Sequence, residues 1–263
     1  MKILTIMGSP HNGNTLEKIK NIEKKFSDYK DIEFEIINLK DIKLEPCRGC
    51  FICFIKGDTS CPIKDDKDKI FKKMDGADGV IFASPVYSMH VSYLMKLFID
   101  RFSFTFHRPR YFGKYAISVV VAGNIGLKET SNYLKMVAKT WGFNYVDGIS
   151  YCAAPKNTPM TIPPLKKDKT DDVIKKFYYA IKEKKPQKLT VSDNLGFRLM
   201  QVVYNQMETM SPYDYKYWGD KGWFQKDKKY FHENVKINIF KDAFAKLFAW
   251  IFRHQMEKEF NKM

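Results

Sequence analysis

The chain predicts an α/β fold, a doubly wound five-stranded parallel sheet followed by a helical, aromatic-rich C-terminal extension. Three observations carry this. Strand-like apolar runs alternate with stretches of helical period through residues 1–186. Glycine-bearing turns close the strands. The run Gly79–Ala83 (GVIFA) has no polar face, as expected for a strand covered on both sides. At 263 residues, 44% hydrophobic and 15% aromatic, the chain can build one large domain with an elaboration, and a disordered chain is excluded.

The elements follow in order. Lys2–Met7 is a short buried strand stopped by Gly8, and Gly8–Thr15 (GSPHNGNT) is a loop of small and hydroxyl residues. A helix from about Thr15 carries Leu16, Ile19, Ile22 and Phe26 on one stripe. Glu33–Leu39 alternates as the second strand and Gly79–Ala83 is the third. Val91–Phe102 is helical, Tyr115–Ala122 is the fourth strand, Glu129–Trp141 a helix and Asn144–Tyr151 the fifth strand. A Pro-rich turn over Pro155–Pro164 precedes a helix over Asp171–Glu183. Residues 187–263 form the extension. Ser192 is placed to cap a helix bearing Leu195, Leu199, Val203 and Met207, and an aromatic segment runs from Tyr213 to Phe231. A last helix over Val235–Phe260 lines up Ile237, Phe240, Phe244, Leu247, Ile251 and His254.

Composition narrows the function classes. Forty-five basic against thirty acidic residues give a net charge of +15, mostly lysine interleaved with carboxylates. That is the pattern of a solvated surface, and no nucleic-acid-binding motif accompanies it. Five cysteines in this length are too sparse for a disulfide scaffold. No apolar run approaches the ~18 residues of a membrane span, and the apolar start is too short for a signal peptide. The expected compartment is the cytoplasm, with reduced cysteines.

In a parallel sheet ligands gather at the carboxyl ends of the strands, so the loops 8–15, 84–90 and 122–128 are the informative ones. In the first, a helix amino end offers unpaired N–H groups to an anion, with Ser9, Asn14 and Thr15 as further donors and Gly13 allowing close approach. The spacing is neither Walker A nor GxGxxG. On these residues alone, an ordinary capped turn and a phosphate cradle are both open.

GSPHNGNT at 8–15, SPVY at 84–87 and the Lys96…Asp100-Arg101 helix end resemble the NADPH-dependent FMN reductase family. The resemblance covers residues 1–150 and implies a flavodoxin-like fold with strand order 2-1-3-4-5. It also implies FMN as cofactor, its phosphate held by Ser9, His11, Asn14, Thr15 and Leu16. Pro85, Val86, Tyr87 and Ser88 would line the isoalloxazine, and Gly123, Asn124 and Gly126 belong to the second flavin loop. His11 stands where the family often has a lysine or arginine.

Cys47, Cys50, Cys53 and Cys61 form C-x2-C-x2-C-x7-C, a set of thiols that suits a [4Fe–4S] cluster. The pattern resembles the iron–sulfur flavoprotein branch of the family. Zinc and four free thiols stand as alternatives. Cys152 reads as a core cysteine.

Other residues have two readings each. Tyr87 meets the flavin or packs on the sheet, and His90 donates to flavin or substrate or faces solvent. Asp65 and Asp66 read as helix-start capping and dipole partners rather than a metal pair. Tyr217, Trp218 and Trp223 form a substrate lid or pack the extension. The basic residues Lys241, Lys246 and Arg253 of the last helix allow a membrane-surface reading, against a helix facing the core or a dimer partner.

The expected function is an FMN-dependent oxidoreductase passing electrons from NAD(P)H to a quinone, nitro compound, flavin or electron carrier. The flavin does the chemistry, so no catalytic side chain is assigned. Two rivals stand beside it: an iron–sulfur flavoprotein fed by ferredoxin, and a non-catalytic basic binding module. A homo-oligomer is expected, with no nucleic-acid partner and no transmembrane segment.

Overall fold

The computed structural model describes residues 1–123, 125–154, 159, 161, 168–233, 235–236 and 239–260. In chain order the elements are β1 (Lys2–Met7), α1 (Asn14–Phe26), β2 (Glu33–Asn38), α2 (Ile52–Ile55), α3 (Lys67–Gly76), β3 (Gly79–Tyr87), β4 (His90–Val91) and α4 (Tyr93–Arg101). There follow α5 (Phe104–His107), β5 (Tyr115–Ala122), α6 (Leu127–Thr140), β6 (Asn144–Cys152) and α7 (Thr170–Lys182). The extension holds β7 (Gln187–Lys188), α8 (Val191–Tyr204), α9 (Pro212–Asp220), β8 (Val235–Lys236) and α10 (Ile239–Phe260). Two compact units emerge: Met1–Arg48 with Ile63–Lys185, and Gly49–Pro62 with Pro186–Met263.

The first unit is built on a parallel sheet of order β2-β1-β3-β5-β6. This is the flavodoxin-like order expected from sequence once the two-residue strand β4 is set aside. Alternation along the strands sorts side chains into two layers. Ile81 and Ala83 of β3 join Ile3, Ile117 and Val119 in one layer, against Ile19, Ile22 and Phe26 of α1 and Val173 and Phe177 of α7. Phe82, between them, points the other way. There it meets Trp141 and Phe143 edge-on, and Phe98 and Phe102 complete an aromatic layer. The helical stripe read from Leu16 to Phe26 therefore faces the core as expected.

Several boundaries differ from the sequence reading. β3 runs past Ala83 to Tyr87 and turns back through Ser88 and Met89 into the antiparallel β4. Both turn residues have positive φ (47° and 67°), the conformation of a tight primed hairpin usually made with Gly or Asn. Val91 consequently lies in a strand, and the helix begins at Tyr93, capped by Ser92, whose Oγ accepts from the Met95 N–H. Leu39 opens a 3₁₀ turn rather than ending β2. Helix α6 starts at Leu127, not Glu129, and Thr190 rather than Ser192 caps α8 through a capping box with Asp193. Most of the Pro155–Pro164 turn and Ile237 lie outside the described residues.

The second unit is organised by aromatic packing. Trp218 is fully buried, stacked on Tyr204 with ring centroids 4.7 Å apart and met edge-on by Trp223 at 5.0 Å and Phe231 at 5.6 Å. Trp218 and Trp223 are thus core residues of the extension. The 49–62 segment packs on α9: the Ser211 hydroxyl donates to the Phe54 carbonyl, and Gly57 (φ 91°) sits against the Tyr213 ring. A Cβ on Gly57 would lie 2.7 Å from that ring. Among the described residues, no helix is long and apolar enough to cross a membrane.

Candidate functional site

At the carboxyl ends of β1, β3 and β5 lies a hollow of about 490 Å³, within the usual range for small-molecule sites. His11, Asn12, Gly13, Asn14 and Thr15 form one wall, Pro85, Val86 and Tyr87 another, and Val121, Ala122, Gly123 and Ala153 the third. Three loops distant in sequence meet here because the parallel topology delivers all three strand ends to one edge.

The first loop is braced from several sides. The Gly8 N–H donates to the Ala83 carbonyl at 2.8 Å, and the Ser92 hydroxyl donates to the Gly8 carbonyl. A Cβ on Gly8 would fall 2.7 Å from the Met95 Cβ, so glycine is what lets α4 approach. Ser9 is buried and donates to the His11 carbonyl at 2.8 Å. The Asn14 amide donates to the Ala154 carbonyl at 2.7 Å, and Lys40 reaches the Asn12 side chain at 2.8 Å. Helix α1 begins at Asn14, and Gly13 before it supplies no side-chain cap, which leaves first-turn N–H groups to other acceptors beside a wall of the hollow.

His11 and Tyr87 face each other across the opening, with the phenol oxygen 3.1 Å from His11 Nε2. Burial pushes the Tyr87 phenol above its ordinary pKa and nearby Tyr93 adds to the effect, so the hydroxyl keeps its proton at neutral pH. No carboxylate lines the hollow among the described residues. An uncapped helix end, an anion-tolerant wall and a flat apolar pair of walls beside a tyrosine together fit a flavin mononucleotide.

Of the residues singled out from sequence, His11, Asn14, Thr15, Pro85, Val86, Tyr87 and Gly123 line the hollow. Ser9 lies beneath it as a brace, and Leu16 packs toward the core. Ser88 is in the hairpin turn, and Gly126 (φ 83°) abuts Val86 at the start of α6. Asn124 lies outside the described residues. His90 packs its ring 4.3 Å from that of Tyr133. Sequence reading placed Asn12 and Ala122 only within its informative loops and missed Val121 and Ala153, whose only signal was their place at strand ends.

Cys47 and Cys50 are exposed, Cys53 and Cys61 are partly buried, and Cys152 is buried as expected. No group of three or more potential metal ligands converges among the described residues. The base of the cysteine loop is nevertheless closed firmly. Asp65 takes a two-pronged bond from Arg101 (Nε at 2.9 Å, Nη2 at 3.0 Å) and accepts from the Glu45 and Lys67 N–H groups. Asp66 exchanges backbone and side-chain bonds with Lys43. Burial works to raise the Asp65 pKa, but Arg101 and the two backbone donors outweigh it and hold the carboxyl below its usual value. The pair stands at the helix start as expected, Asp66 at the N-cap position and Asp65 accepting from the first N–H of α3, and it also staples the two ends of the loop, with Asp65 buried against Arg101.

Comparison with known proteins agrees with this geometry. The profile of the NADPH-dependent FMN reductase family matches residues 1–157. An iron–sulfur flavoprotein of Archaeoglobus fulgidus is 30% identical over 224 residues, covering 84% of this chain and 99% of that one. One from Clostridioides difficile is 30% identical over 191 residues, covering 70% of this chain and 81% of its own. Among solved structures, RosB with a bound 8-demethyl-8-formylriboflavin-5'-phosphate intermediate superposes with a TM-score of 0.53 at 11% identity, covering 91% of this chain and 92% of its own; this supports the fold alone. With the sheet order, the three-loop hollow and the match over residues 1–157 in agreement, the chain belongs to the NADPH-dependent FMN reductase family.

Proposed function

We propose that the chain is an FMN-dependent oxidoreductase that takes electrons from NAD(P)H and passes them to a small acceptor such as a quinone, a nitro compound or a free flavin, or to a redox carrier. The observation that carries this is the hollow between the uncapped start of α1 and the ends of β3 and β5. FMN bound there would supply the hydride and single-electron chemistry. The protein's part is positioning. The α1 N–H groups and Thr15 would hold the phosphate, His11 and Asn14 would fix the loop around it, and Pro85, Val86 and Tyr87 would seat the ring.

A second reading adds a [4Fe–4S] cluster on Cys47, Cys50, Cys53 and Cys61, with ferredoxin as electron donor. The similarity to named iron–sulfur flavoproteins over most of the chain favours it, as does a set of four thiols. A thiolate site is commonly organised by its metal, so the spacing of these thiols among the described residues is compatible with it.

One measurement separates the readings: the absorption spectrum and the iron and sulfide content of protein purified without oxygen. Flavin bands with no iron support the reductase alone. Flavin with about four irons per chain, lost in Cys50→Ala, supports the cluster reading. A colourless protein that cannot be reconstituted with FMN overturns both and leaves the non-catalytic module.

A further inference from the structure

Helices α8 and α10 meet through small and polar residues. Ala245 and Ala249 are buried, and the Asp242 carboxylate accepts from Asn194 and Arg198 of α8, each at 3.1 Å. The stripe through Phe244, Leu247 and Ile251 of α10 is left exposed. Beside this contact the second unit holds a cavity of about 270 Å³. One wall is a single face of α8, with Arg198, Gln201, Val202 and Asn205 at helical spacing. The turn after α9 supplies Phe224, Gln225 and Lys226, and α10 supplies Lys246, Ala249 and Trp250. Arg198, Val202 and Ala249 are buried, whereas Asn205, Lys226 and Trp250 are exposed, so the cavity opens to solvent.

We propose that this cavity is a binding site for a small aromatic carboxylate. Its charge selects an anion. Arg198, Lys226 and Lys246 line it, and among the described residues no carboxylate does. Arg198 and Lys246 share Asp242, at 3.1 and 2.9 Å, so one carboxylate offsets one of the three cations and an excess of two positive charges remains. Arg198 is the central group. Its Nη1 donates to the Gln201 side chain at 3.1 Å and the Lys228 carbonyl at 2.7 Å, and its Nη2 donates to Asp242, but its Nε has no acceptor among the described residues. A buried donor left unmatched in this way is rare, and an ion or ligand commonly supplies the partner. The Nε atom is covered by its neighbours, so the guanidinium has to tilt to meet a ligand carboxylate, and the bond it then makes is charge-assisted. The carboxyl end of α8 would oppose an anion through free carbonyls, but those of Gln201, Val203 and Tyr204 accept from the N–H groups of Asn205, Gln206 and Met207. The remaining walls select an apolar body: Val202, Phe224, Ala249 and Trp250 offer a ring two aliphatic and two aromatic neighbours. The volume lies just under the ~300 Å³ at which drug-sized sites begin, which suits one or two fused rings and excludes a dinucleotide. None of the lining residues belongs to the first unit, so the site does not depend on FMN.

The test is isothermal titration calorimetry of the full chain with 2-naphthoate, its neutral analogue 2-naphthamide, and inorganic phosphate. Naphthoate is expected to bind at least about tenfold more tightly than naphthamide, the difference a hydrogen bond to a charged group makes, and more tightly than phosphate. Arg198→Gln should erase the preference for naphthoate over naphthamide. Arg198 also holds Asp242, so this variant is read only where far-UV circular dichroism shows it folded; Lys226→Gln, at an exposed position, should weaken naphthoate about threefold in either case. A further readout needs no loss of charge. The chain has four tryptophans, and in the nitrogen–proton spectrum the indole N–H of Trp250, assigned with Trp250→Phe, should shift on adding naphthoate while that of Trp141 in the first unit stays in place. Excess FMN should leave naphthoate affinity unchanged, whether or not the chain retains FMN. Naphthoate that binds no better than naphthamide overturns the proposal, as does an unmoved Trp250 signal. Displacement of naphthoate by FMN would place it in the hollow of the first unit and overturn the proposal too. Phosphate binding as tightly as naphthoate would mean general attraction of anions and overturn the aromatic selectivity.

Discussion

The loop after β1 and the cysteine loop are held in different ways. Loop 8–15 is held by bonds from β3, the cap of α4, the turn after β2 and the segment after β6. The cysteine loop is tied at its base by Asp65 and Asp66 and packs on α9 through Phe54 and Gly57, while Cys47 and Cys50 are exposed. The difference follows from the ligands each would serve. A mononucleotide is gripped by many weak donors, which must be positioned in advance to keep the ordering cost low. A metal cluster brings strong bonds of its own and can order the thiolates that hold it.

The largest effect is expected at the loop base. Asp65→Ala removes the two-pronged bond to the buried Arg101, and breaking such a pair costs about 3–5 kcal/mol. Calorimetry should show the thermal midpoint falling by roughly 6–20 °C. A fall of only a degree or two would mean the loop base is not what holds this region. The same pair has a pH signature. Because the Asp65 carboxyl titrates below its ordinary value in the folded chain, its contribution is complete above about pH 4 and is lost as the pH falls through the lower folded value. Acid-unfolding curves of wild type and Asp65→Asn should therefore converge below that pH and diverge above it.

A smaller effect is expected in the first loop. Asn14→Ala removes the bond to the Ala154 carbonyl, worth about 1 kcal/mol, so FMN affinity measured by flavin fluorescence should weaken about fivefold with no change in thermal midpoint beyond a few degrees. The smallest is at His11. A lysine there adds a fixed positive charge near the phosphate, and His11→Lys should tighten FMN binding two- to threefold, roughly 0.5 kcal/mol, with the gain fading at high salt. If Asn14→Ala leaves affinity untouched, the bracing of the first loop is not what prepares it for FMN.

Much of this was legible in the sequence because it depends on local period and on glycine. The central strands are continuous apolar runs, and the stripe Leu16, Ile19, Ile22, Phe26 faces the core as its spacing requires. The hairpin after Tyr87 was not legible, since Ser88 and Met89 adopt positive φ without the residues that normally announce it. Asp65 and Asp66 were recognisable as a helix start, but the partner that buries Asp65, Arg101, is 36 residues away. The α10 stripe illustrates the limit: period identifies which residues share a face, while what covers that face depends on tertiary and quaternary context.

The staple formed by Asp65, Asp66 and Arg101 frees the span between its ends from the sheet's geometry. Once a stem is tied shut, lengthening the enclosed chain adds only closure entropy, about 0.6 kcal/mol for each doubling. A change in thiol spacing is then independent of the sheet's strand register, and its further cost falls on the contacts that Phe54 and Gly57 make with α9.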